Sequence, residues 1–442
     1  MTANRCLLIF VAAACAWGQV YEGPAVLARG SGGSARPYGQ RAGRSSRIRV
    51  SADLTATYDT GFIPYQLDSN GNLFNPGALY GFEAALGAFG TKRSRFGSFG
   101  MDYRGTFRHY PQGQQFAGSD NFVGMEIKQQ PSKRMTLEGH LTAGTSNRVF
   151  SFGNLLVGNN LNSFLPVNEV FDNRVYFLQG GATLSYQFSA RSSITMGADA
   201  FAIRRNTGSL IGVNGYTPRL GYGYRLTRKL QIGTVYAFQH FDYPRAFGES
   251  DVHLINGVIA YDFSRRWAVE IGSGVFRADS AGTRTVLADP VLRRLLGLTS
   301  VVESFSSTYT RPSFNASLRG SLRKSSLVMG FSQSPSGGNG LTLLGEARSF
   351  LANYSYSADR RTSFGLTSNY TLLGSLSNDV GGKFGTLFVA GSVNYFVTRS
   401  LGLTGSIFYR NLNVPQSTQP RNTYRISFGV VWSPNDFGLP VF

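Results

Sequence analysis

The chain is nearly without cysteine, and its two, Cys6 and Cys15, both lie in a short N-terminal apolar leader. That removes a disulfide scaffold, a zinc–thiolate centre and a cysteine nucleophile from everything after it. Charge is scarce as well: 15% of the residues are Asp, Glu, Lys or Arg, where a soluble domain carries about 25%. No apolar run of roughly 18 residues or more follows the leader, so no transmembrane helix is on offer and a membrane crossing has to use strands.

What is present is organised in three parts over 442 residues. Residues 1–18 combine Arg5, the apolar stretch CLLIFVAAACAW and small residues at Ala14, Ala16 and Gly18, the pattern of a secretory signal peptide cleaved after Ala16 or Gly18. Residues 19–46 are rich in Gly, Ser and Arg without periodicity and read as a flexible basic tail. Its GSGGS lacks a following Gly-Lys-Ser/Thr and is no phosphate loop. From residue 47 to 442 the dominant signal is strict alternation of apolar and polar residues, the period of strands. Ile48, Val50, Ala52, Leu54, Ala56 and Tyr58 take one face of the first run, and Arg49, Ser51, Asp53, Thr55, Thr57 and Asp59 the other.

About 18 such runs follow one another, most of them near or above the ~9–11 residues a tilted strand needs to cross a bilayer. The expected spans are 47–60, 78–90, 94–110, 119–130, 134–147, 174–188, 191–204, 216–227 and 229–242, then 250–263, 266–277, 306–320, 323–333, 342–356, 361–373, 385–397, 400–410 and 421–433. Short basic turns join them in pairs (TKRS, PSKR, SARS, LTRK, SRRW, LRKS, SADRRT, VTRS), and longer connections such as 61–77, 148–173, 278–304, 334–341 and 411–420 separate the pairs. Short turns on one rim and long loops on the other describe an all-β fold, a transmembrane antiparallel up-and-down β-barrel with periplasmic turns and extracellular loops. A propeller is the alternative for a repeat of this length, but its blades need four strands per repeat where this chain has two long ones. A soluble sandwich also alternates, yet it does not end its apolar face in aromatics such as Tyr222, Tyr224, Tyr354 and Tyr356, nor put Asp102, Arg104 and Arg108 in its core.

The formal charge is +19, from 43 basic and 24 acidic residues. The excess sits in the tail and at the short turns: Lys92, Arg93, Lys133, Arg134, Arg228, Lys229, Arg265, Arg266, Arg360 and Arg361 form a basic periplasmic rim. That rim suits anionic lipid head groups or, equally simply, keeps the turns soluble. The predicted lumen face is mixed. Arg49, Arg104, Arg108, Arg219, Arg225, Arg311, Arg319 and Arg425 stand against Asp53, Glu83, Asp102, Glu126, Glu138, Asp199, Asp262 and Glu270, so any anion preference is mild. The regular placing of the bases at hairpin turns argues against a nucleic-acid patch.

The turns YDFSRRW (261–267) and YQFSARS (186–192), set in this alternation, make residues 47–442 resemble the bacterial outer-membrane β-barrels of the porin-like kind, some of which are associated with exopolysaccharide export. The resemblance implies a Gram-negative outer-membrane location, contact with outer-membrane lipid, delivery by the barrel-assembly machinery and, as an option, a homo-oligomer. The aromatic assembly signal it implies would be Phe442, although the last alternating run stops near Trp432 and two prolines follow. It also implies an inward-folded constriction, here the loop 149–173 with Phe152, Leu155, Leu156, Phe164, Glu169 and Asp172, together with Arg293 and Arg294 from DPVLRRLLG. Surface caps are the competing reading of both loops.

The expected function is passive diffusion of small hydrophilic solutes. The alternatives are an export conduit for an anionic exopolysaccharide and a plugged structural or adhesive barrel. An enzyme is not expected. His109, His140, His240 and His253 form no HExxH and lack the serine two positions on that barrel phospholipases use, and His140 beside Glu138 is a weak acid–base pair. No cofactor or metal is expected.

Overall fold

A computed structural model describes residues 47–434 apart from 61–65, 68–72, 75–77, 95, 112–116, 148–173, 207–209, 245–247, 288–299, 339, 341–343, 360, 377–382, 399 and 414–420. The leader and tail, the loop 149–173, Arg293, Arg294, Arg360 and Phe442 therefore lie outside the described residues, as do the side chains of Arg49 and Arg93.

Strand follows strand along the chain. The first half holds β1 (Arg47–Asp59), a short hairpin of β2 (Gln66–Leu67) and β3 (Leu73–Phe74), then β4 (Leu79–Arg93), β5 (Gly97–His109), β6 (Gly118–Ser132), β7 (Met135–Ser146), β8 (Val175–Gln187), β9 (Ser192–Arg205) and β10 (Val213–Arg225). The second half holds β11 (Leu230–Tyr243), β12 (Gly248–Asp262), β13 (Trp267–Leu287), β14 (Ser300–Ser321), β15 (Ser325–Ser336), β16 (Gly345–Ser357), β17 (Thr362–Ser375), β18 (Phe384–Phe396), β19 (Leu401–Asn413) and β20 (Arg421–Trp432). All but β2 and β3 belong to one 18-stranded antiparallel sheet, each strand paired with its neighbours in sequence. The sheet closes on β1, where Asp53 is opposite Ala85 of β4 on one side and Val431 of β20 on the other. Closure removes the free edges that a bilayer would not tolerate.

Alternation decides which residues face where. Leu54, Leu86 and Phe428, at 59%, 61% and 62% exposure, point outward in a continuous apolar belt with Ile259, Ile271 and Val275. A belt of this extent is far beyond what a soluble monomer leaves in water, so it faces lipid. The polar partners of those residues point inward. Tyr186, Tyr222, Tyr354, Tyr356 and Tyr395 lie at the short-turn end of the belt, where amphipathic rings suit a bilayer interface.

The short turns share one device. A hydroxyl or carboxylate accepts the backbone N–H two residues on: Ser189 from Arg191 (3.1 Å), Thr227 from Lys229 (3.2 Å), Ser264 from Arg266 (3.1 Å) and Asp359 from Arg361 (2.6 Å). This local bond sets the reversal and throws the basic side chains outward. Lys92, Lys133, Arg134, Arg228, Lys229, Arg265, Arg266 and Arg361 are all exposed. The N–H groups of Arg361 and Thr362 hold the Asp359 carboxyl below its ordinary range.

Two expectations need correction. The connection predicted at 278–304 is mostly strand: β13 and β14 run on as a ladder from Ala278 opposite Tyr309 to Leu287 opposite Ser300. Above the belt both faces meet water, so pairing continues without apolar alternation. Likewise β19 extends to Asn413, three residues into the predicted loop at 411–420. The ladder of β14 with β15, by contrast, stops at Phe314 opposite Gln333. Two positions further up, Pro312 and Pro335 would have met, and neither carries an N–H to donate.

Candidate functional site: the barrel lumen

Odd-numbered residues of β1, β4, β8–β11, β14, β16, β17 and β20 face inward, as do even-numbered residues of the remaining barrel strands. By that rule the described lumen candidates lie on the inner wall, and the ladder brings five of them, Arg108, Arg219, Arg425, Glu138 and Asp199, into charge pairs. Arg425 of β20 meets Glu83 of β4 across β1. Arg108 of β5 meets Asp120 of β6, both almost fully buried, and Lys128 meets Glu138. Arg219 Nη1 lies 2.7 Å from Asp199 Oδ2, while Arg219 Nη2 donates to Thr183 Oγ1 at 3.0 Å. The other Asp199 oxygen is 3.3 Å from His140 Nε2, so His140 belongs to this group and not to an acid–base pair with Glu138. Gly181 makes the Asp199 position possible, since a Cβ there would lie 2.1 Å from Asp199 Oδ1.

Arg104 and Asp102 are buried on the same wall, and Asp53 beside them is half-buried. Arg225, Arg319 and Glu270 are half-buried, and Arg311 is the exposed cation of the set. Sequence reasoning missed Asp120, Arg205 and Arg410, all buried and inward. Arg205 was hidden by its neighbour Arg204, since only one of two adjacent residues can face in. With these included, the described inner wall carries as many acids as bases. Charge is also unevenly spread: the inward faces of β15–β18 hold no ionisable side chain among the described residues.

The extracellular half of the lumen is narrowed from a direction the sequence did not indicate. The connection after β15 reaches across to β9–β11, where Ile211 N–H donates to Gly340 O at 3.0 Å. Gly340 has φ +91°, and a Cβ there would press on the Arg205 guanidinium at 3.0 Å. Arg205 in turn donates to Ile211 O. Beneath this contact an apolar cluster lines the wall, with Phe177, Phe201, Phe241 and Phe276 joined by Leu344 and Leu376 from the later loops. The predicted constriction at 149–173 lies outside the described residues, whereas Gly337, Gly338, Gly340 and Leu344 of the connection after β15 lie within them.

Among the described residues no group of three or more His, Cys, Asp or Glu is placed to hold a metal ion. Among the described residues no helix is long and apolar enough to cross a membrane, which says nothing of a β-barrel.

No known protein family matches the chain, and no curated protein does. Solved structures resemble it over most of its length. OpdQ of Pseudomonas aeruginosa shares 12% identity at a TM-score of 0.40, covering 88% of this chain and 97% of its own. OccAB4 of Acinetobacter baumannii shares 10% at 0.38, covering 90% and 100%. A BenF-like porin from Pseudomonas fluorescens shares 11% at 0.40, covering 88% and 99%. These are distant likenesses. The porin-like 18-stranded barrel stands on the closed ladder of this chain itself.

Proposed function

We propose that the chain is an outer-membrane channel through which small hydrophilic solutes diffuse passively, with at most a mild preference for anions. The observation that carries this reading is the inner wall: a closed 18-stranded cylinder whose inward face, apart from the apolar cluster, is polar and whose described side chains balance in charge. A barrel of about 16–18 strands is too wide for its own side chains to fill and encloses water. The balanced pairs leave little net field to repel either ion. Planar-bilayer recording of the purified protein tests this, with stepwise currents expected and silence from folded protein counting against it.

The basic rim is read as a contact for the anionic phospholipids of the inner leaflet, each Lys or Arg contributing roughly 1 kcal/mol near the surface. The contact of Ile211 with Gly340 and the apolar cluster below it favour one competing reading, a barrel plugged by its own loops. Such a barrel would fold and insert yet carry no current.

A further inference from the structure

The register of the ladder lines up one row of small inward residues over seven strands. It starts with Ser326 of β15 opposite Ser355 of β16 and passes through Gly365 of β17 to Ser392 of β18. It continues through Ser406 of β19 and Ser427 of β20 to Thr57 of β1. A second row beside it holds Ser363, Asn394, Thr404 and Thr55. Neither row carries a charge between its ends.

Because barrel strands are tilted by about 35–45°, a row running across them climbs the axis. Ser326 is the second residue of β15 at the short-turn rim, and Thr57 lies two residues from the far end of β1. Steps of about 4.8 Å between strands make the row about 29 Å long, of which about 18 Å is rise. The hydroxyls thus form a staircase from one mouth towards the other, with a single gap at Gly365.

Their hydrogen-bonding capacity is largely unspent. Ser326 and Ser355 bond to each other at 2.6 Å, and Thr55 Oγ1 donates to Glu83 O at 3.4 Å. The Oγ atoms of Ser363 and Ser427, Thr57 Oγ1 and Asn394 Nδ2 have no hydrogen-bond partner among the described residues, although they are buried. Unpaired polar groups set in a wall favour a ligand that supplies donors and acceptors in turn. Phe388 and Phe408 lie beside the row as a tilted pair, their centroids 6.0 Å apart, with the Arg425 guanidinium 5.8 Å from the Phe408 ring centroid. A step close to the length of one pyranose ring, hydroxyls that both give and accept, adjacent aromatic rings and no charge within the row itself describe one solute class.

We propose that this staircase is a track for neutral polyhydroxylated solutes, that is, sugars or polyols, which move by exchanging hydrogen bonds from step to step. The proposal rests on the channel reading above. Bilayer conductance of the full chain would be titrated with maltotriose and, separately, with a polyethylene glycol of equal hydrodynamic radius. Wild type is expected to be blocked by maltotriose at far lower concentration than by the glycol. The variant S392A/S406A/S427A, checked for folding by heat-modifiable mobility, should raise the half-blocking concentration of maltotriose about tenfold while leaving the salt conductance and the glycol response as they were. Equal blocking of wild type by both probes, an unchanged triple variant, or blockade by an acidic sugar without blockade by maltotriose would overturn the track. Folded wild type without any current would overturn the channel reading first, and the track with it.

Discussion

Replacing Asp199 by Asn tests the charge balance of the lumen at a pair whose cation reaches water. Asp199 is buried at 5% exposure, while its partner Arg219 keeps 22% and reaches lumen water. The substitution preserves shape and removes one negative charge, leaving Arg219 uncompensated. An ion passing about 6 Å away in water feels about 0.7 kcal/mol from such a charge, reduced to about 0.3 kcal/mol at 0.15 M salt, where the Debye length is about 8 Å. Attraction of the anion and repulsion of the cation act together, so the anion-to-cation permeability ratio should rise about threefold. At 1 M, with a Debye length of about 3 Å, the same charge should change the ratio by only about 1.4-fold. Reversal potentials across a KCl gradient at both ionic strengths measure this directly. A ratio that does not move at 0.15 M, or that moves towards cations, would refute the placement of Arg219 on the conducting path.

Other outcomes follow from the same geometry. Gly340→Val forces a β-branched residue to φ +91° at a strain of about 1–3 kcal/mol, more than the roughly 1 kcal/mol of the single Ile211–Gly340 bond, so the inward segment should release and single-channel conductance should increase. An unchanged or smaller step would contradict its place across the mouth. Ile259→Arg, opposite Ile232 and Ile271 on the lipid face, should cost about 2–4 kcal/mol in urea unfolding from phospholipid. Ala260→Arg, one residue along and opposite Glu270, should be tolerated, and equal costs would mean that the faces are assigned wrongly. The double variant R265Q/R266Q should lose about 2 kcal/mol of the stability gained when phosphatidylglycerol is added to the vesicles. If both proteins gain equally, the rim does no more than keep the turns soluble.

The barrel wall was legible because burial against lipid on one side and water on the other stamps a period of two on every strand. Runs such as Tyr424, Ile426, Phe428, Val430 and Trp432 need no tertiary information to be assigned outward. The same signal fails where its cause is absent: 278–287 and 300–305 pair as strands beyond the belt, with water on both faces, and read as loop. Charge pairing was illegible for another reason. Glu83 and Arg425 are 342 residues apart, and only closure of the sheet through β1 brings them together. Parity identified the inward side chains, but not their partners. The segment SPSGGNG at 334–340, the end of β15 and the connection after it, is polar and glycine-rich and read as one of the long connections. Its glycines instead permit close approach to Arg205 and Phe241. The serine row was invisible for a related reason, since register is a property of the assembled ladder and not of any one strand.

The most direct measurement is single-channel recording from the purified barrel inserted in a planar bilayer, with folding verified beforehand by heat-modifiable mobility. A water-filled, charge-balanced lumen predicts discrete ohmic steps whose reversal potential in a KCl gradient stays close to zero. Folded, inserted protein that passes no current would contradict it.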